Sequence, residues 1–207
     1  FGSSVVECAA GKYKEVSASS DACSDCPAGS HSLAAAATDC LAGPGYTGSV
    51  LGGTFQACTA GKYKALAQSS AACISCPTST YKAAKATTSV GGCDACPANS
   101  TSPAGSVAIS SCLAAAGYTG SVRSLVACAA GKYKTIAASA EACTDCVAGK
   151  YMAAAASAVA CTDCPTNSNV VATGSSSSSV CVADAGYSGF GSSVVECAAG
   201  KYKEVSA

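Results

Sequence analysis

The chain has 207 residues, with 12 Lys and Arg against 12 Asp and Glu, so its formal net charge is zero. This balance argues against nucleic-acid binding, which needs a basic surface, and against an electrostatic membrane anchor. Leu, Ile, Val and Phe number only 29 while Cys numbers 17, which argues against a large apolar core and is typical of a disulfide scaffold. With one His, one Arg and no Trp, we do not expect an enzyme.

The beginning of the sequence recurs near its end. The letters FGSSVVECAAGKYKEVSA occupy residues 1–18 and again 190–207, so the sequence repeats after 189 residues. Chance does not give such an identity, which leaves a tandem array of near-identical units or one period of a periodic object plus an overlap. With no signal peptide and no initiator Met, we expect the chain to be part of something longer.

Shorter repeats lie inside this period. Nine stretches begin at a Cys, and eight of them run 13 to 16 residues to the next Cys. The third residue after the first Cys of each stretch is Gly, Ser or Asn. Because Gly and Asn tolerate a positive φ, this position predicts a turn. The fifth residue after the first Cys is Tyr in six of the nine stretches, and the residues around this Tyr suit a short strand. The stretches begin at Cys8, Cys26, Cys58, Cys76, Cys96, Cys128, Cys146, Cys164 and Cys197.

Three further stretches separate groups of loops and are predicted to be connectors. Each has Gly-Tyr-Thr/Ser-Gly with its Tyr six residues after a Cys, at Tyr46, Tyr118 and Tyr187. The expected order is two disulfide loops over 1–40, a connector over 41–57, three loops over 58–112, a connector over 113–127, three loops over 128–181, a connector over 182–196, and the start of the next 189-residue repeat over 197–207.

The cysteine count favours one disulfide for each loop. Pairing the first Cys of every loop with its last uses sixteen and leaves Cys197, the copy of Cys8, with a partner beyond residue 207. Each closure of about fifteen residues stabilises by roughly 3 kcal/mol in the chain-entropy model, and such a density of disulfides implies an extracellular or cell-surface location. The expected pairs are Cys8–Cys23, Cys26–Cys40, Cys58–Cys73, Cys76–Cys93, Cys96–Cys112, Cys128–Cys143, Cys146–Cys161 and Cys164–Cys181.

Two alternatives for the cysteines remain open from sequence. The spacing Cys73-x2-Cys76-x16-Cys93-x2-Cys96 fits a four-cysteine zinc site, although it leaves other thiols unexplained. The five CxxC pairs permit redox chemistry, but no βαβ pattern accompanies them. We expect neither a metal nor another cofactor.

The remaining polar residues give weaker signals. His31, the one histidine, replaces a loop Tyr and is expected to be a packed or exposed ring without a catalytic role. The lysines on either side of Tyr13, Tyr63, Tyr133 and Tyr202 are expected to form a solvated face, and each such Tyr is expected to lie on its own disulfide. Asn99-Ser100-Thr101 is an N-glycosylation sequon at an expected exposed turn, so we expect a glycan at Asn99.

The motifs CAAGKYK, CxxCPAGS and CLAAAGYTGS together resemble the ephrin-receptor-like cysteine-rich repeat, which is similar to the cysteine-rich modules of tumour-necrosis-factor and growth-factor receptors. Long arrays of such repeats occur in surface proteins of protists and algae, including fibre proteins of flagellar hairs (mastigonemes). The resemblance covers the whole chain. It implies a small disulfide-rich fold, mostly β or irregular, in which tandem hairpin modules stack into an extended rod or filament.

Two functions follow as hypotheses. The first is a structural repeat unit of an extracellular filament, whose partners are copies of itself and covalent glycans, with no membrane span and no nucleic acid. The second is a receptor-like ectodomain or spacer that binds or presents a ligand. The most divergent loops, Cys96–Cys112 and Cys164–Cys181, are polar and show no aromatic or charged cluster of the kind that marks a binding hot spot.

Overall fold

The computed structural model describes residues 6–15, 21–32, 35–49, 54–67 and 69–204. The outer parts of the eighteen-residue repeat, at 1–5, 16–18 and 205–207, and residues 50–53 of the first connector lie outside the described residues. The chain divides into two compact units. Unit 1 comprises Phe1–Cys96 and Ser102–Cys112, and unit 2 comprises Pro97–Thr101 and Leu113–Ala207.

Short antiparallel hairpins make up nearly the whole described structure, as the prediction of tandem disulfide-rich hairpin modules requires. In the described part of the chain the strands form eleven two-stranded sheets. Isolated bridges, such as Tyr63 with Thr87 and Tyr81 with Ser106, join some of these strands to a following loop. Most strands have two residues, so neither propensity nor long hydrogen-bond ladders can hold them, and the stabilisation must come from links around each hairpin.

Five hairpins belong to unit 1. They pair β1 (Lys12–Tyr13) with β2 (Ser24–Asp25), β3 (Ser30–His31) with β4 (Leu41–Ala42), β5 (Tyr46–Thr47) with β6 (Gln56–Ala57), β7 (Lys62–Tyr63) with β8 (Ile74–Ser75), and β9 (Thr80–Tyr81) with β10 (Asp94–Ala95). A 3₁₀ turn spans Val90–Gly92, and another spans Ile109–Ser111.

Six hairpins belong to unit 2. They pair β11 (Ser100–Thr101) with β12 (Leu113–Ala114), β13 (Tyr118–Ser121) with β14 (Ser124–Ala127), β15 (Lys132–Tyr133) with β16 (Thr144–Asp145), β17 (Lys150–Tyr151) with β18 (Thr162–Asp163), β19 (Ser168–Asn169) with β20 (Val182–Ala183), and β21 (Tyr187–Ser188) with β22 (Val195–Glu196). A 3₁₀ turn spans Ser178–Val180.

The two residues inside a CxxC motif often form the returning strand of a hairpin. Strand β8, for example, lies between Cys73 and Cys76, and β16 lies between Cys143 and Cys146. Because side chains alternate along an extended chain, residues three apart point to opposite faces. The two cysteines of such a motif therefore serve different modules and do not bond to each other.

A tight turn lies three residues after the first Cys of each of the nine stretches, including the partial one that begins at Cys197. All nine of these residues have φ between 61° and 84°, including Ser79, Asn99 and Asn167. This left-handed conformation favours Gly and tolerates Asn, and the sequence prediction of a turn at this position is confirmed. The connectors have the same turn, with positive φ at Gly45, Gly117 and Gly186.

The buried side chains are mostly small. Among the described residues the largest fully buried side chains are Lys64 and seven cysteines: Cys40, Cys58, Cys76, Cys112, Cys128, Cys146 and Cys181. Many of the larger apolar residues are exposed instead, Leu66, Ile74 and Val126 among them. The core of each hairpin that a disulfide closes is therefore that disulfide with its surrounding backbone, because a disulfide replaces the apolar cluster that these sequences lack.

Candidate functional site

Eight disulfides close the eight loops of the chain. They join Cys8 to Cys23, Cys26 to Cys40, Cys58 to Cys73, Cys76 to Cys93, Cys96 to Cys112, Cys128 to Cys143, Cys146 to Cys161 and Cys164 to Cys181. These are the pairs that one disulfide per loop predicts. Each loop with its disulfide is called a module below and is named by its first cysteine.

The disulfides are incompatible with the zinc and redox alternatives in this state of the chain. Cys73 is bonded to Cys58 and Cys76 to Cys93, so neither offers the thiolate that a zinc ion needs. In every CxxC motif the two cysteines belong to separate disulfides. In the part of the chain that the structure describes, no group of three His, Cys, Asp or Glu side chains is placed to hold a metal.

Backbone hydrogen bonds join each module to the next. The turn residue Gly131 donates its N–H to the carbonyl of Met152, 2.8 Å away in the following module, and its own carbonyl accepts from the N–H of Cys146 at 2.9 Å. The Cys58 and Cys76 modules are joined in the same way through Gly61, whose carbonyl lies 2.8 Å from the nitrogen of Cys76. Within each unit the modules therefore stack by pairing polar groups that would otherwise need water.

The three connectors join the stack as hairpins without a disulfide. They contain the pairs β5–β6, β13–β14 and β21–β22. The turn residue of the first connector, Gly45, donates to the carbonyl of Lys64 at 2.9 Å and accepts from the nitrogen of Cys58 at 2.8 Å. Gly117 of the second connector pairs with Lys134 and Cys128 at 2.8 Å in both cases. The connectors thus occupy places in the stack equivalent to modules.

A lysine from the following module fills each connector. Lys64 Nζ donates to the carbonyl oxygens of Ala42 at 3.2 Å, Tyr46 at 2.7 Å and Ser69 at 2.5 Å. An ammonium has three donors and no acceptor, so these three carbonyls match it fully. Two of them belong to the connector and one to the module that carries the lysine. We call Lys64 and its counterparts Lys134 and Lys203 the connector lysines.

The second connector repeats this arrangement. Lys134 Nζ donates to the carbonyls of Ala114 at 3.5 Å, Tyr118 at 2.9 Å and Ser139 at 2.8 Å. In the third connector Lys203 Nζ donates to the carbonyl of Ala183 at 2.8 Å. The contact therefore recurs at all three connectors, with the lysine always in the sixth position after the first Cys of the next module.

Two of the three connector lysines are buried charges, and Lys203 is half-buried. Lys64 is 2% exposed and Lys134 is 3% exposed. Burial lowers the pKa of Lys64 below its ordinary value. Burial also lowers the pKa of Lys134, while the Glu141 carboxylate acts in the opposite direction. The carbonyl oxygens supply the partners without which a buried ammonium would be strongly unfavourable.

The expectation that these lysines form a solvated face is therefore wrong for Lys64 and Lys134. Alternation along a strand places Lys62 and Lys64 on one face, but β7 ends at Tyr63. Past that point the Lys64 side chain is directed into the connector, where its Nζ donates to the carbonyls of Ala42 and Tyr46. A sequence signal was available, because Lys occupies the sixth position in each module that follows a connector.

Four of the five modules that follow a module carry another side chain in the sixth position. Ser32 Oγ accepts from the N–H of Gly11 at 2.9 Å and donates to the carbonyl of Lys12 at 2.9 Å. Ser102 Oγ donates to the carbonyl of Thr80 at 2.8 Å, and Met152 is buried with the disulfide of its own module. The fifth of these modules has Lys82, whose Nζ pairs with Asp94 Oδ2 of its own module at 3.3 Å. The backbone carbonyl of the sixth residue accepts from the turn residue of the preceding layer whatever the side chain, as Met152 does from Gly131.

Tyr133, in the fifth position of its module, packs against a cluster that contains a disulfide. Tyr133 contacts the cluster of Cys146, Met152 and Cys161, which belongs to the following module. We expected a tyrosine to lie on its own disulfide, which for Tyr133 is Cys128–Cys143. The structure shows this aromatic ring at the boundary between modules, where contact between sulfur and an aromatic ring is favourable.

The first strand of several hairpins has an ion pair on its solvent side. Lys12, Lys132 and Lys150 lie directly opposite Asp25, Asp145 and Asp163 in the strand register. Their Nζ–Oδ1 distances are 2.7, 2.8 and 2.5 Å. Exposed pairs of this kind contribute at most about 1 kcal/mol each, so they refine hairpin register and do not hold the stack together.

Two other predicted positions lie at the surface. Asn99 is exposed at the turn of the Cys96 module with φ of 61°, which leaves its side chain accessible to a glycosylating enzyme. His31 is exposed in β3 opposite Leu41. Nothing in the described structure brings a nucleophile to His31.

No family model and no curated protein sequence matches this chain. Among the described residues, none of the helices has the length and apolar character needed to cross a lipid bilayer.

Proposed function

We propose that the chain is a structural repeat unit of an extracellular filament built from disulfide-linked modules. The stacking of hairpins carries this proposal: in each unit, backbone groups at the turns bond to the next layer, as Gly61 does to Cys76 and Gly131 does to Cys146. Modules that interact mainly with their neighbours extend in one dimension, as in solenoid proteins. The recurrence of the sequence after 189 residues continues the same pattern on a longer scale.

Two further features support a mechanical role outside the cell. Eight disulfides in 207 residues are typical of secreted proteins, since cytosolic thiols are kept reduced. The exposed Asn99 would carry a glycan in such a compartment. The proposed partners are copies of the same repeat. The resemblance of the sequence to the ephrin-receptor-like repeats of surface fibres supports this proposal.

We also propose that the chain has no catalytic activity. Sixteen of its cysteines are in disulfides, and its one histidine is an exposed residue of a hairpin. Each buried lysine is an ammonium that donates hydrogen bonds to carbonyl oxygens, so it has no free lone pair with which to act as a nucleophile or base. Each of these groups has a structural explanation.

Electron microscopy of the native material, with and without a thiol reductant, tests the filament. The expected result is long filaments with a regular axial repeat that fray only after reduction, because the disulfides hold each layer together. Isolated particles under both conditions would contradict the proposal and favour the receptor-like spacer.

A further inference from the structure

We propose that the third connector, residues 182–196, is the docking surface for the first module of a following copy of this repeat in the same polypeptide. In that contact the lysine that corresponds to Lys14 in the following copy is Lys203. The inference rests on the proposed function, because it specifies how one repeat unit joins the next. It assigns a register and a partner to a surface that the filament proposal alone leaves open.

The chain itself contains the start of that following copy. Residues 197–204 repeat residues 8–15 letter for letter, and the structure shows them seated on the third connector. The N–H of Cys197 donates to the carbonyl of Gly186 at 2.9 Å, and the N–H of Gly186 donates to the carbonyl of Lys203 at 3.4 Å. With the contact from Lys203 Nζ to the carbonyl of Ala183 at 2.8 Å, three hydrogen bonds define the geometry.

The same set of contacts occurs at the connectors inside the repeat. At the first connector the matching bonds are Cys58 N–H to the Gly45 carbonyl and Gly45 N–H to the Lys64 carbonyl, at 2.8 and 2.9 Å. The matching side-chain bond runs from Lys64 Nζ to the Ala42 carbonyl. The boundary between periods is therefore built like a boundary within one period, and an array can continue through it without a change of structure.

The sixth residue of a module makes this docking selective against four of the five modules that follow a module. A connector has no disulfide of its own, and its inward carbonyls need a donor that reaches several ångströms into the layer. Ser32 and Ser102 are too short, and the side chains of Met152 and Val170 have no N–H or O–H to donate. Placing one of these four modules on a connector would leave buried carbonyls without a partner, which costs free energy. The remaining module has Lys82, which pairs with Asp94 at 3.3 Å.

The first module has the side chain that a connector requires. Lys14 is in the sixth position after Cys8, and its Nζ donates to the carbonyl of Asp21 at 2.7 Å. Lys64 and Lys134 likewise donate within their own modules, to Ser69 and Ser139, which lie two positions earlier in the loop than Asp21 does. The part of the arrangement that a lysine-bearing module supplies is thus present around Lys14.

The continuity of the peptide identifies the source of the following copy. Residue 190 begins the repeated letters with no break in the chain, so the docked segment arrives through the backbone. Cys8 of this copy is bonded to Cys23. Cys197 would bond in the same way to the counterpart of Cys23, fifteen residues further on.

Amide hydrogen exchange of the 207-residue chain tests the lysine contact. In Lys203→Met we expect exchange at Gly186 and Cys197 to accelerate about tenfold, since the carbonyl of Ala183 loses its partly buried donor. Lys201→Met is the matched control, because Lys201 is exposed and two residues away. Unchanged rates in Lys203→Met, or equal acceleration in both variants, would overturn the proposal. The amides of Cys146 and Cys164, in other modules, report whether a variant still folds.

Thiol trapping of the native polypeptide tests the source of the copy. We expect the denatured, unreduced native chain to show no alkylated Cys197, and its mass after reduction to correspond to more than one 189-residue period. A native chain of a single period whose Cys197 is alkylated would overturn docking within one polypeptide. Filaments in the microscope with unchanged exchange in Lys203→Met would reject this inference and keep the proposed function. Accelerated exchange in Lys203→Met without filaments would reject the proposed function and keep the docking of the following copy on the third connector.

Discussion

Lys64 and Lys134 are the residues whose environment differs most from what their chemistry suggests. Removing an ammonium from water costs several kcal/mol unless hydrogen bonds replace its hydration. Here the connector and the lysine's own module supply backbone carbonyls that face the amine. The lysine stem also fills space between layers, where other modules place a serine hydroxyl or a methionine.

Replacing Lys134 with methionine should destabilise unit 2. Lys134→Met keeps the aliphatic stem but leaves the carbonyls of Tyr118 and Ser139 buried without this donor, at an expected cost of about 1–3 kcal/mol. Chemical denaturation with the disulfides intact measures the change. Lys132→Met is the control, because Lys132 is partly exposed and loses only its pair with Asp145, at a cost of at most about 1 kcal/mol. Equal losses in the two variants would show that burial of Lys134 has no special weight.

Acylation of amines should distinguish the buried lysines from the exposed ones. A reagent that acylates amines reaches Lys85, which is exposed, but must wait for an opening of the layer to reach Lys64. We expect Lys64 and Lys134 to react at least about tenfold more slowly than Lys85 in the folded chain, as measured by mass spectrometry of peptides. Comparable rates in the folded chain would contradict the burial of these amines, and denaturation should make the rates converge.

At the scale of the element, a hairpin with two-residue strands depends on its turn and on the layer above it. The turn glycines combine a left-handed conformation with close approach of another backbone. A Cβ on Gly131, whose φ is 83°, would lie 2.1 Å from the carbonyl oxygen of Gly174. Gly186 has a φ of 84° and no atom within 4 Å of the same position. The two glycines therefore separate conformational strain from steric contact.

Alanine substitution at these two glycines should give unequal losses. Gly186→Ala incurs only the left-handed penalty of about 1–2 kcal/mol. Gly131→Ala incurs that penalty and forces the layer containing Gly174 to move, so its loss of unfolding free energy should be larger. Denaturation curves of the two variants, with hydrogen exchange at Met152 and Cys146 to locate the change, provide the measurement. Equal losses would mean that neighbouring layers yield freely at Gly131.

Sequence reasoning was sufficient for the module and not for the connector. The turn, the strand around the Tyr and the one-disulfide loop all follow from local chemistry that repeats in eight copies. Connectors lack the second cysteine of a loop, so the repeat was not recognised there, although Gly45-Tyr46 corresponds to the turn and strand of a module. The buried lysine was missed for a related reason: its partners are backbone carbonyls of another element, and backbone atoms leave no trace in a sequence pattern.

At the scale of the whole molecule, stability is distributed along the chain and has no single centre. Each layer contributes one disulfide or one connector lysine and a few backbone bonds to the next. Coupling through nearest neighbours decays with distance in such arrays. A defect in one layer should therefore be felt locally within its unit.

Removing one disulfide tests this locality. In Cys164→Ala/Cys181→Ala the loss of a loop closure should cost roughly 3 kcal/mol and accelerate amide exchange in β19–β20. Exchange in β13–β14, three layers away in the same unit, should stay close to that of the unaltered chain. Uniform acceleration across unit 2 would contradict coupling through neighbours and indicate one cooperative core.

The scarcity of large apolar side chains in the core has a consequence for how stability depends on temperature. The heat capacity change on unfolding comes mainly from newly hydrated apolar surface, and the largest fully buried side chains here are cysteines and a lysine. This protein should have a heat capacity increment below the ordinary value of about 12–15 cal/mol/K per residue. Its free energy of unfolding should then follow temperature with little curvature, so that weakening of the hydrophobic effect on cooling should not bring it towards cold denaturation.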